Sequence, residues 1–258
     1  MTRTPDPKVI VTREDAVLLI TINRPERRNA IDRETSLALA AALDQLDSDA
    51  TLSVAILTGS GAHFCAGMDL KAFVAGERVE LPGRGLAGLT QKPPAKPLIA
   101  AVEGYALAGG FEIALACDLI VASETATFGL PEAKRGLIAG SGGLVRLPER
   151  MPRQIAMECA LTGRMIPAAE AERWGLINRI CTPGTALSTA RALAAEIAEN
   201  APMSLIASKD IVANAGRWPE SDLWPRQNEI LERVIASEDA REGASAFADK
   251  RTTVWKGR

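Results

Sequence analysis

The chain has 258 residues, 47% of them hydrophobic and 24% charged, with 30 Lys plus Arg against 32 Asp plus Glu and a single histidine. Such a composition is that of a soluble globular protein with ample apolar surface for a core, at a length between one domain and two. A net charge of −2 without clustered basic runs argues against a phosphate-backbone binder, and the lone His63 removes histidine-rich metal sites and paired-histidine mechanisms.

The N-terminal residues 1–8 are polar, with two prolines and no apolar stretch behind them, which reads as neither a signal peptide nor a transit segment. Residues 16–22 form an apolar run stopped by Asn23-Arg24-Pro25, the pattern of a strand. Asp32 is placed as a helix N-cap, and Leu39, Ala42, Leu43 and Leu46 recur behind it at helical spacing. Residues 53–58 read as a second buried strand, stopped by Gly59-Ser60-Gly61. Residues 76–97 are rich in Gly, Pro and charge, and predict a long surface loop or partly helical excursion, a length that marks function or mobility. Residues 98–102 resume as a strand, 109–116 as a helix and 118–122 as a strand, so the first part is α/β with largely parallel pairing. After about Pro148 the spacing is helical, over 152–160, 168–174, 187–198, 202–213, 222–235 and 238–250. The four cysteines, Cys65, Cys117, Cys159 and Cys181, are widely spaced without a CxxC pair, which predicts reduced thiols and a cytoplasmic protein. No apolar run is long enough to span a membrane.

Three motifs fail on context. Gly83-Arg84-Gly85-Leu86-Ala87-Gly88 has the spacing of a dinucleotide fingerprint, but Pro82 precedes it where a strand is needed and a proline-rich stretch follows. Ser141 has Ala139 where a nucleophile elbow requires glycine. His63, beside Phe64 after a glycine loop, reads as a loop anchor rather than a catalyst.

Three stretches carry chemistry: residues 64–70 (FCAGMDL), 104–112 (GYALAGGFE) and 128–132 (FGLPE). The first two place small residues between a strand and a helix, where backbone N–H groups lack intrahelical acceptors and a ligand oxygen can approach. Two such turns supply the two donors of an oxyanion hole; the same glycines also serve tight helix-on-sheet packing. Glu112 is an acid in an otherwise apolar helical segment, readable as a site acid or as a favourable charge at a helix N-terminus. Glu132 follows Pro131 in a second loop and reads either as its partner or as a surface acid. Two glutamates sharing one site would split their proton affinities, as acid–base work on one substrate requires.

These motifs, together with Asn23-Arg24-Pro25, Asn29-Ala30, Phe247 and Lys250-Arg251, resemble the crotonase superfamily over nearly the whole chain, and most closely its enoyl-CoA hydratases. The resemblance implies an α/β fold built as a spiral of ββα units, with a core over residues 1–200 and a C-terminal helical trimerisation region over 201–258. It implies a homotrimer or a hexamer of paired trimers. It places the backbone N–H groups of Ala66 and Gly109 around a thioester carbonyl, and Glu112 and Glu132 on the two catalytic acids that add water to a trans-2-enoyl-CoA. Gly140 falls near the catalytic water. Arg28, Ala30, Ala66, Gly67, Met68, Asp69, Leu70, Gly109, Gly110 and Pro131 fall along the acyl-CoA site, with Arg24, Arg27 and Arg28 as partners for its phosphates. Phe247 and Lys250 match a C-terminal segment that reaches CoA.

The substrate implied is an acyl-CoA thioester. No separate cofactor, metal, nucleic acid or membrane is called for. Retention of both acids favours hydration over Δ3-Δ2 enoyl-CoA isomerisation or a binding-only role. Three positions depart from the family pattern: Ala108 replaces a common glycine, Ala139 a usual proline, and Glu103 a frequent asparagine. Residues 130–134, 141–144 and 146–148 also resemble the crotonobetainyl-CoA (carnitinyl-CoA) hydratase branch. That alternative calls for an acidic or aromatic feature facing a trimethylammonium group, and the sequence singles out none. The excursion at 76–97 is the expected wall of the acyl pocket.

Overall fold

The strand-forming runs are short, those at the centre of the molecule are apolar, and the chain winds them into a spiral. The structure is a computed structural model describing residues 6–258, so the reading of the first five residues lies outside it. Val9–Glu14 (β1) pairs antiparallel with Val17–Ile22 (β2), and Arg33–Ser48 (α1) follows. Asp32 caps α1, its Oδ1 accepting the Thr35 N–H at 2.9 Å, and the apolar face read from the sequence is buried. Next come Val54–Gly59 (β3) and the single-turn Leu70–Val74 (α2). Leu98–Val102 (β4), Tyr105–Leu107 (β5) and Gly109–Ala116 (α3) make the next unit. Leu119–Ser123 (β6), Thr127–Gly129 (β7), Gly143–Arg150 (α4) and Arg153–Thr162 (α5) make the one after. Met165–Pro167 (β8), Ala168–Arg173 (α6), Arg179–Cys181 (β9) and Ala186–Ala198 (α7) close the core.

The units divide their strands between two sheets. One holds six strands in the order β1-β2-β3-β4-β6-β9, all parallel beyond the first pair; the other holds β5-β7-β8. A bridge between Cys65 and Ala106 extends the small sheet toward the turn before α2. The main core, which includes Phe64, Phe111 and Phe128, lies on one face of the large sheet. Ala190 and Ala194 of α7 pack on the opposite face, against Val54, Ile56, Ile99 and Val121. Glu103, whose charge the sequence left unplaced, accepts the Ala186 N–H at 3.0 Å and so holds the start of α7.

Of the two expectations for residues 76–97, the structure shows the partly helical excursion, with a one-turn 3-10 helix at Leu86–Gly88, and not a surface loop. Val79, Leu81, Leu86, Ala87 and Leu89 are buried, and the segment lies over α1. A Cβ on Gly88 would stand 2.5 Å from that of Ala40, and Arg84 grips Asp44 of α1 at 2.7 Å. Its apolar residues follow neither a strand nor a helix period, which is why the pattern reads as loop.

Beyond α7, Pro202–Asn214 (α8) buries no side chain, Glu220–Ile235 (α9) buries Ile230, and Glu238–Asp249 (α10) buries Asp239 and Ala246. These helices leave Val212, Trp224 and Phe247 exposed. Among the described residues no helix is long and apolar enough to cross a membrane. The four cysteines are free thiols, and burial pushes those of Cys65 and Cys117 up to about 12.

Candidate active site

The site starts from backbone geometry at the turn between β3 and α2. The Ile31 N–H donates to Gly67 O and the Asp69 N–H to Ile31 O, both at 2.8 Å. Backbone groups along an extended segment alternate sides, so the N–H of Met68, between those two residues, faces the other way and takes no acceptor among the described residues. On that side stands the start of α3, whose first N–H, from Gly109, has no intrahelical acceptor. A Cβ on Gly67 would lie 2.9 Å from Gly109 N, and one on Gly109 3.4 Å from Met68 N, so the two donors are neighbours. A Cβ on Gly110 would lie 2.1 Å from Cys65 O; glycine there lets the helix abut the turn.

This arrangement corrects one expectation. The Ala66 N–H donates to Arg28 O at 3.0 Å and is spent on the fold, so the free donor of this turn belongs to Met68. Spacing showed that the turn offers donors. Which of them faces outward depends on the bridge to Ile31, a contact between segments far apart in sequence.

Glu112 lies in the first turn of α3 and is 3% exposed. Its Oε1 accepts the N–H groups of Ser141 and Gly143, each at 2.8 Å, at the start of α4. Those donors favour the ionised form, but burial opposes them and wins, aided by the charges of Glu132 and Glu80, so the carboxyl is pushed up to about 7. A Cβ on Gly143 would come within 3.1 Å of Glu112 Oε1, so any larger residue would press on this contact. Glu132 opens a one-turn 3-10 helix, Glu132–Arg135, behind Pro131. Its Oε2 is buried without a hydrogen-bond partner, and burial raises its pKa as well.

Both acids line a cavity of about 310 Å³, which Arg28, Ala66, Met68, Leu70, Gly109, Pro131 and Gly140 also line. Four other expected residues act from behind it. Asp69 caps α2 and pairs with Arg24 at 2.9 Å, and the buried Ala30 gives its carbonyl to the Arg24 guanidinium. Gly67 and Gly110 set the close approach of turn and helix. Arg24 also reaches Asp32 at 3.2 Å, so it is an internal strut and not a phosphate partner; Arg27 and Arg28 remain exposed. Phe247, 88% exposed, and Lys250, just past the end of α10, do not line the cavity. His63 stacks on Tyr105 at 4.5 Å, and its Nδ1 accepts the Tyr105 N–H, the anchoring role read from the sequence.

Other lining residues escaped the sequence reading, among them Phe73, Leu86, Arg135, Ile138, Met165 and Glu80. Glu80 Oε1 accepts the Ser141 hydroxyl at 3.0 Å. Among the described residues no group of three or more His, Cys, Asp and Glu is arranged to hold a metal ion.

The family profile of enoyl-CoA hydratase/isomerase matches residues 12–258. The chain belongs to the enoyl-CoA hydratase/isomerase family. Its two-sheet spiral followed by helices is the crotonase fold. Over 257 residues it is 45% identical to the carnitinyl-CoA dehydratase of Salmonella typhi, spanning 96% of this chain and 98% of that one. Among solved structures it is similar to an enoyl-CoA hydratase from Mycobacterium marinum, with a TM-score of 0.96, 55% identity, and coverage of 98% of this chain and 100% of the other. A carnitinyl-CoA hydratase from Mycobacterium avium matches at a TM-score of 0.79 and 45% identity, over the same shares of both chains. The protein is thus an enzyme of this family.

Proposed function

We propose that the protein catalyses reversible addition of water to a trans-2-enoyl-CoA, and that within this class it belongs with the hydratases of crotonobetainyl-CoA and carnitinyl-CoA. The observation that carries the reading is the convergence of Glu112, Glu132 and the free N–H groups of Met68 and Gly109 on one cavity. The names of the carnitinyl-CoA relatives support the narrower reading.

The thioester carbonyl accepts from Met68 and Gly109, and water sits between the two carboxyls. The ionised acid takes a proton from water as its oxygen bonds to C3. The double-bond electrons move through C2 onto the thioester oxygen, where the two amides stabilise the charge as it develops. C2 then takes the proton held by the other acid. Carboxyls raised by burial suit this division, since near neutral pH one keeps a proton while its neighbour gives one up. Arg28 and Arg135 on the cavity lining are the cations toward which the phosphates of CoA are drawn. No resident cofactor is required.

The exposed apolar residues of α8, α9 and α10 support assembly as a homotrimer or a dimer of trimers, which sedimentation would measure directly.

The functional test follows the ultraviolet absorbance of crotonyl-CoA and crotonobetainyl-CoA, with the product identified by its gain of one water. Glu112→Gln and Glu132→Gln are each expected to lower turnover by roughly 100- to 10,000-fold in folded protein. Wild-type rates in both variants would refute the two-acid mechanism. Conversion of a 3-enoyl-CoA with no hydrated product would make the enzyme an isomerase instead.

A further inference from the structure

The catalytic cavity contains a carboxylate that the hydration chemistry does not use. Glu80 comes from the excursion over α1. It lines the catalytic cavity and also an adjoining space of about 640 Å³, and Met68 and Phe73 line both as well. The serine that holds it is the same one whose N–H donates to Glu112, so a single residue links Glu80 to an acid at the reacting carbons. Among the described residues no Lys, Arg or His forms an ion pair with Glu80. Of the cations on the two linings, Arg28 and Arg135 share the catalytic cavity with it without pairing to it, and Arg33 and Arg78 line the adjoining space, where Arg33 donates to the Arg78 carbonyl at 2.9 Å and, through its backbone N–H, to Glu77 at 2.5 Å.

Glu80 is exposed and shares the cavity lining with Leu86, Ile138 and Met165, so a neutral acyl chain gains nothing from its carboxylate, whereas a cationic one gains a counter-charge. We propose that Glu80 is the specificity-determining residue for an acyl group that carries an ammonium charge beside the double bond. The proposal rests on the hydratase reading above. In a crotonobetainyl group the charged nitrogen is bonded to C4, next to the C3 that water attacks, so its counter-charge belongs just beyond the catalytic acids, and Ser141 links Glu80 to one of them. Phe73 adds a ring lining the same space, a surface that attracts quaternary ammonium groups.

The test measures kcat/KM on crotonobetainyl-CoA and on crotonyl-CoA for wild type, Glu80→Gln and Glu80→Asp. Wild type is expected to favour the charged thioester. Glu80→Gln is expected to lower the charged-to-neutral ratio by about 10- to 100-fold, mostly through KM, and Glu80→Asp to restore part of it. An unchanged ratio overturns the proposal, whether both substrates lose equally, as a positioning role through Ser141 would dictate, or neither does. A wild type that hydrates crotonyl-CoA but not crotonobetainyl-CoA also overturns it and leaves the hydratase reading standing. A wild type that hydrates neither refutes both.

Discussion

The two ends of the cavity are built from different materials. At the end proposed to hold the thioester the chemistry is carried by backbone: the N–H groups of Met68 and Gly109, aimed by the bridge to Ile31 and by glycines that leave little room for a Cβ. At the end proposed to hold the acyl group it is carried by side chains, Glu80, Ser141 and Phe73, the first of them on a segment without regular periodicity. In the proposed reaction, backbone donors read the group that every acyl-CoA shares, and side chains read the part that differs. Substitutions at the first end should therefore damage every substrate alike, whereas those at the second should sort substrates from one another.

The strongest way to break this comparison is Gly67→Ala. Gly67 has φ +100°, and the new methyl would press to 2.9 Å from Gly109 N, displacing one oxyanion donor. Loss of such a donor costs on the order of 100- to 1000-fold in kcat. The expected loss is the same for charged and neutral thioesters, in contrast to the ratio change at Glu80. A substrate-dependent loss in Gly67→Ala would show that the two ends are not separable.

Glu112 stands between the ends, and a thermodynamic measurement sharpens its position. Its folded pKa, about 7, lies above the usual carboxylate value because burial penalises the charge. Below the unfolded pKa both states hold the proton, and the shift contributes nothing. As pH rises from that value through about 7, the unfolded chain ionises first and the folded protein loses stability. A neutral glutamine escapes this loss. Glu112→Gln is accordingly expected to be about 3 kcal/mol more stable relative to wild type at pH 8 than at pH 4, by denaturant melts at the two pH values. An equal difference at both would mean that Ser141 and Gly143 stabilise the charge well enough to cancel its burial.

How much of this was legible in the sequence follows the same division. Residues 98–102 were bounded correctly because a continuous apolar run lies between Pro97 and Glu103, residues 109–116 because a mainly apolar stretch opens on two glycines, and Asp32 was placed because capping is local. The strand Val9–Glu14 was missed because most of it faces solvent, and β5, β7 and β8 because three residues carry no period. Both glutamates were singled out from their local context and paired by the resemblance, but that they line one cavity depends on how distant segments pack. The donor at Met68, the strut at Arg24, the cap from Glu103 to Ala186 and the reach of Glu80 to Ser141 all join segments distant in sequence, which spacing does not encode.

Ala108 is the place where the backbone end departs from its own logic. It is the N-cap of α3 with φ 51° and ψ −129°, a region that glycine occupies freely and alanine does not. The sequence already marked it as an alanine where the family often has glycine, a change that looked like loop stiffness; the dihedrals turn it into strain. Its N–H donates to Gly129 O at 2.8 Å, and its carbonyl accepts from Phe111 and Glu112, so the conformation is imposed by β7 on one side and the helix on the other. Glycine there removes strain of roughly 1–3 kcal/mol but restores freedom to the unfolded chain, which offsets part of the gain. Ala108→Gly is therefore expected to raise stability by about 1 kcal/mol, read as a higher denaturant midpoint at constant slope. Its charged-to-neutral substrate ratio should match that of wild type, because the donors it steadies belong to the end that does not choose among acyl groups. A shift in that ratio would mean that the strain at Ala108 reaches the acyl end, and that the alanine is part of how the substrate is selected.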